Sequence, residues 1–175
     1  MIDSMLARGP SFWRAHGVRI RTEAGGGYRM QMQDQARRLL WHGVFLFLLG
    51  LFTGLAIPII NNHRMGLSAH LEALLNGILL LALGCLWAHL RLSARALNAT
   101  FWLALYGTYA NWFFTLLGAI LGTKALTPQA GAGFNAAPLS EILVGIGLVT
   151  LATVMVIVCV ILLIGLGGKA AESST

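Results

Sequence analysis

The stretch "NNHRMGLSAHLEALLNG" (residues 61–77) carries His70, Glu72 and Asn76 into an otherwise apolar helix. Ionisable and amide side chains inside a membrane are costly and by default mark a functional site. An imidazole there can ligate a metal, and haem iron needs only one histidine from the protein. So near a helix start, it can equally serve as a hydrogen-bonding group at the membrane interface. Glu72 and Asn76 form an i, i+4 pair on one helix face, whereas His70, Ala73, Gly77, Leu81 and Gly84 gather on another. Small side chains keep that second face low, so a flat, bulky group lying along it would be within reach of His70.

A second set of polar groups lies in "YGTYANW", residues 106–112. Asn111 stands about 11 residues, roughly 17 Å, from the outer end of its apolar run, and Asn76 about nine residues, roughly 14 Å, from the outer end of its own. The two amides therefore sit at similar depth, either bonded to each other between helices or facing one cavity. Tyr106, Tyr109 and Trp112 belong to the same stretch.

Other chemistries lack their residues. "HLE" has the H-x-E of zinc deaminases, but no P-C-x-x-C follows. H-E-x-x-H, a phosphate-cradling glycine loop and a G-x-S-x-G elbow are absent. Glu72 and Glu141 are the only acids associated with the apolar runs, which disfavours catalysis by paired carboxylates. Cys85 and Cys159 belong to no metal-ligand pattern and read as small buried hydrophobes.

The elements that position these groups follow from composition. Of 175 residues, 57% are hydrophobic and 10% charged, with mean hydropathy +0.76. A water-facing domain carries about 25% charged residues. Four apolar stretches, 40–60, 67–90, 99–122 and 139–166, each reach the roughly 20 residues that cross a hydrocarbon core about 30 Å thick. The expected fold is an all-α integral membrane four-helix bundle over residues 39–167, with a basic, disordered or weakly helical tail at 1–38 and a short tail at 168–175. Met30 and Met32 are alternative starts.

With four spans, both termini and the middle loop share one side. Ten of the 12 Lys and Arg residues lie there: Arg8, Arg14, Arg19, Arg21, Arg29, Arg37, Arg38, Arg91, Arg95 and Lys169. Only Arg64 and Lys124 face the other side, so both termini are expected in the cytoplasm. The net charge of +6 then reflects topology and anionic headgroups, not nucleic acid.

Small residues mark the contact faces. Gly43, Gly50 and Gly54 lie within about 40° on a helical wheel, and Gly107, Asn111, Thr115, Gly118 and Gly122 share a stripe about 80° wide. Such residues let helices approach closely in lipid. The loop "TKALTPQAGAGFNAAPL" is either a folded-back lid or a plain connector.

"LLWHGVFLFLLGLFTGLAIP", "NHRMGLSAHLEALLNG", "RLSARALNATFWLALYGTYANW" and "AGAGFNAAP" together resemble bacterial hydroxylaminobenzene mutases, from about Leu39 to Leu166. The resemblance implies an isomerase that converts hydroxylaminobenzene, a product of nitroarene reduction, to 2-aminophenol. More distantly, the chain is similar to styrene oxide isomerases. Their A-H-x5-N-G pattern matches Ala69, His70, Asn76 and Gly77, and their aromatic-Ala-Asn pattern matches Tyr109, Ala110 and Asn111. That likeness implies haem b with His70 as its iron ligand, Ala73 and Gly77 beside the cofactor, and a trimeric assembly. Asn76, Tyr109 and Asn111 would then act on the substrate. An acid and a tyrosine of those relatives are replaced here by Gly107 and Thr115, which suits a different substrate.

The competing expectation is a non-catalytic haem-binding or scaffold subunit of the membrane. A two-ligand cytochrome needs a second histidine at matching depth. His42 and His89 lie nearer the cytoplasm, His63 falls in a turn and His16 in the tail, which favours an open iron site. A transporter is expected to show inverted or parallel repeats, and none is evident.

Overall fold

The computed structural model describes residues 11–167, with side chains from residue 26 onward. The expected tail at 168–175 and the first ten residues lie outside the described residues. Four helices account for the fold: α1 (Ser11–Ala56), α2 (His63–Leu86), α3 (Ala94–Leu121) and α4 (Pro138–Gly167). Among the described residues there is no strand, as expected for an all-α membrane bundle.

The helix ends have local causes. Pro58 lacks an amide hydrogen and sits in the 3-10 turn Ile57–Ile59 that follows α1. Asn62 caps α2 by accepting from the Met65 amide at 3.1 Å, and Ser93 caps α3 by accepting from the Ala96 amide at 3.3 Å. α3 stops at Gly122, whose φ of 71° suits glycine and whose amide returns to Gly118 O at 2.9 Å. Glu141, in the first turn of α4, accepts from the Lys124 and Ala125 amides and so ties the preceding loop to that helix.

By length and composition, residues 26–59, 63–89 and 138–167 can each cross a membrane. α3 is as long, at 28 residues, but Tyr106, Thr108, Tyr109, Asn111 and Thr115 dilute its apolar character. It packs between α2 and α4, two such spans, and crosses with them. Large side chains such as Leu55, Ile59, Leu139 and Leu163 are more than two-thirds exposed. Water would not tolerate so wide an apolar surface, and lipid favours it. Cys85 and Cys159 also face outward, contrary to the expectation of burial, because in lipid the exterior is as apolar as the core.

The expected boundary near residue 38 falls inside α1. That helix has 46 residues, about 70 Å at 1.5 Å per residue, more than twice the hydrocarbon thickness. Its extension is held by tertiary contacts. Tyr28 Oη donates to Leu92 O at 2.9 Å, and Gln35 Nε2 donates to Asn98 Oδ1 at 3.1 Å. Buried Trp87 donates its indole N–H to Gln35 Oε1 at 3.3 Å. The glycines at 25–27 hide this helix from periodicity, since each costs about 1 kcal/mol relative to alanine.

α1 and α2 form the tightest seam. A Cβ built on Gly77 would lie 2.8 Å from Gly43 O and 2.9 Å from Phe47 N; one on Gly43 would lie 2.9 Å from Gly77 O. Gly50 fits against Ala73 and Leu74, and Gly84 against Leu40 and the Ala36 carbonyl. α3 packs on α2, and α4 on α3, while α1 reaches α3 over a much smaller area. The loop between α3 and α4 folds back over the start of α2. Asn62 Nδ2 donates to Ala130 O at 2.8 Å, Arg64 donates to Ala132 O, and Asn62 N donates to Ala119 O at 3.2 Å.

Candidate active site

Polar side chains within the spans form three groups. On the α1–α2 seam, His70 Nδ1 lies 2.7 Å from Gly50 O. The carbonyl can only accept, so Nδ1 donates to it, and in the neutral ring the lone pair is then at Nε2. A metal-ligating histidine uses this arrangement, its second nitrogen fixed by a backbone carbonyl. The ring also lies against Gly54, where a Cβ would be 2.7 Å from Nδ1.

On the α2–α3 interface, the Thr115 hydroxyl lies beside the Glu72 carboxyl. Glu72 Oε2 and Asn76 Nδ2 are buried without a hydrogen-bond partner among the described residues. An unmet buried donor or acceptor costs about 1–3 kcal/mol.

The third group joins α1 to α3 through long side chains. Tyr109 Oη lies 3.0 Å from His42 Nδ1, and Trp112 Nε1 donates to Thr53 Oγ1 at 3.0 Å. Tyr109 and Trp112 are three residues apart on α3, about 4.5 Å along its axis, whereas His42 and Thr53 are eleven apart on α1, about 16 Å. The two aromatic side chains must therefore diverge along the membrane normal. Beside them, Tyr106, Tyr109, Ala110, Trp112, Phe113 and Phe114 line an open groove of about 370 Å³. On its other flank, Tyr106 Oη bonds Thr150 Oγ1 of α4 at 3.2 Å, and Phe114 packs on Gly147. A cavity of about 150 Å³ suffices for benzene, so this groove accommodates a substituted monocyclic arene.

The expected site residues are thus divided among these faces. Tyr109 stands in the aromatic groove with Trp112, while Tyr106 is held by α4. Ala73 and Gly77 do not form a free shelf beside His70: the seam with α1 fills that strip, because its small side chains serve helix contact. Asn76 and Asn111 are not bonded to each other; Asn76 Nδ2 has no partner among the described residues, and Asn111 is half-buried. Asn111 shares its stripe with Thr115, which meets α2, and Gly107, which meets Met155 of α4. That stripe faces away from the groove.

His42 and Thr53 were not expected in the site. Only their polarity within an apolar run marks them, and depth alone had set His42 aside. Among the described residues no three His, Cys, Asp or Glu side chains gather to hold a bare metal ion.

Residues 35–167 match the family model described as styrene oxide isomerase. This chain belongs to the styrene oxide isomerase family. Its curated relatives include hydroxylaminobenzene mutase HabB of Ectopseudomonas oleovorans, 45% identical over 80% of this chain and 86% of the relative. Hydroxylaminobenzene mutase HabA of the same organism is 46% identical over 71% of this chain and 93% of the relative. No solved structure matches. The resemblance seen in the sequence is borne out, and the chain is a membrane isomerase of the mutase type.

Proposed function

We propose that this isomerase converts hydroxylaminobenzene to 2-aminophenol, moving oxygen from nitrogen to the ortho ring carbon, as a step in nitroarene degradation. The observation that carries the reading is the aromatic groove over Tyr109 and Trp112, in a chain 45% identical to a named hydroxylaminobenzene mutase. The substrate ring stacks among these side chains, which aromatic geometry favours by about 0.5–1.5 kcal/mol beyond area burial. Lipid and the apolar walls exclude water, which would otherwise capture the electron-poor ring and release other isomers.

Haem b is the proposed cofactor, with His70 Nε2 as its protein ligand. The lone pair left by the Nδ1–Gly50 hydrogen bond supports that role. When bound, such iron supplies a Lewis acid that weakens an N–O bond. Ala73 and Gly77 pack on α1 and so would not flank the porphyrin, which leaves His70 as the residue that would hold it. A homo-oligomer, a trimer by resemblance, in the bacterial inner membrane with both termini cytoplasmic completes the proposal.

One observation favours a second placement of the substrate. Glu72 Oε2 and Asn76 Nδ2 are partnerless, and an N–OH group carries the donor and acceptor that would satisfy both. With Asn111 on the same side of α3, Asn76 would then hold the hydroxyl or amine in register. Asn76→Ala and Trp112→Ala distinguish the placements by which one raises KM.

The direct test uses protein purified in detergent. Wild-type protein is expected to show a Soret band and to form 2-aminophenol. His70→Ala is expected to lose both. A colourless wild type with full turnover overturns the haem proposal and leaves the mutase reading standing; no 2-aminophenol overturns that reading.

A further inference from the structure

The His42–Tyr109 contact joins two titratable side chains from different helices inside the membrane, and one of them lines the aromatic groove. Their rings are T-shaped, 5.7 Å between centroids at 88°, and Trp41 braces the histidine edge-on at 5.0 Å and 90°. Tyr109 Oη also lies 3.4 Å from the His42 carbonyl, so the one phenol proton has two alternative acceptors on the same residue, the carbonyl and the ring nitrogen. Packing alone would be met by phenylalanine and leucine, without the cost of placing two polar groups in lipid.

Resting on the proposed function, we infer that Tyr109 and His42 form the proton carrier of the isomerisation, with Tyr109 touching the substrate and His42 acting through it as a positioning and proton-accepting residue. Moving oxygen from nitrogen to the ortho carbon breaks N–O, forms C–O, and leaves that carbon bearing both hydrogen and hydroxyl next to an imine. Aromaticity returns when the ring proton leaves and the imine nitrogen gains one. The ring proton passes to Tyr109 Oη as the phenol's own proton moves to His42 Nδ1, and the reverse transfer protonates nitrogen. The C–H electron pair restores the ring, no electrons are lost, and no co-reactant is needed. A groove that opens into hydrocarbon offers no bulk water to carry the proton, so the protein itself must supply this path.

The test compares hydroxylaminobenzene with its ring-deuterated form. Wild-type protein is expected to make 2-aminophenol from both at equal rates. His42→Gln keeps a hydrogen-bonding partner for Tyr109 but cannot store a proton. It is expected to lose about 10²-fold in kcat, the low end of what general acid–base groups contribute, with KM unchanged and a primary ring-deuterium isotope effect now visible. Tyr109→Phe, an independent variant with the same core shape, is expected to show that isotope effect too. Unchanged turnover in either folded variant, or slowing without an isotope effect, overturns the inference. A wild type that makes no 2-aminophenol overturns the parent reading instead.

Discussion

The α1–α2 seam and the outer flank of α3 solve opposite problems with opposite residues. The seam uses Gly43, Gly50, Gly77 and Gly84, and two backbones meet so closely that an added methyl carbon finds main-chain atoms within about 3 Å. The flank uses Tyr106, Tyr109, Trp112, Phe113 and Phe114, large side chains that diverge and leave an open groove along α3. In lipid, small residues make a frame by direct van der Waals contact. Large aromatic residues tethered at their tips leave a void that a flat molecule can enter. The frame gives rigidity, and the tethers set the position of the void.

The contrast has a measurable gradient. Gly77→Ala is expected to have the largest effect, because the new methyl meets Gly43 O and Phe47 N, which cannot turn aside. Overpacking of this kind costs about 1–3 kcal/mol, visible as a lower midpoint of thermal unfolding in detergent. Trp112→Ala is expected to act on binding, raising KM roughly tenfold, as loss of about 1.4 kcal/mol implies. A thermal midpoint that falls as far as that of Gly77→Ala, with KM unchanged, would place Trp112 in the frame instead. Gly107→Ala is expected to have the smallest effect. Its methyl meets the end of Met155, a flexible side chain that can turn away. A loss equal to that of Gly77→Ala would show that α3–α4 packing is as rigid as the seam.

The four apolar helices were legible because hydropathy over about 20 residues registers solvent directly. The glycine face of α1 was legible as a contact face, since Gly50 and Gly54 have few other uses in lipid. Its partner was not: Ala73 and Gly77 read as a shelf for a flat group, and only the packing of α1 onto α2 shows that they form a seam. His70, Tyr109 and Asn111 stood out by polarity, yet their grouping depends on helix rotation. At 100° per residue Tyr109 and Asn111 stand about 160° apart on α3, so the rotation of that helix decides which of them meets α1. The helical extension at residues 26–38 escaped the sequence because it is stabilised by Trp87, Leu92 and Asn98, more than fifty residues away.

The most direct measurement follows the oxygen atom. Hydroxylaminobenzene labelled with heavy oxygen in its hydroxyl group is incubated with the purified protein in ordinary water, and the 2-aminophenol is examined by mass spectrometry. A dry, membrane-embedded groove that holds the ring through Tyr109 and Trp112 predicts that the label is retained in full. Product whose oxygen comes from the water would contradict an intramolecular transfer and the water-poor groove on which it depends.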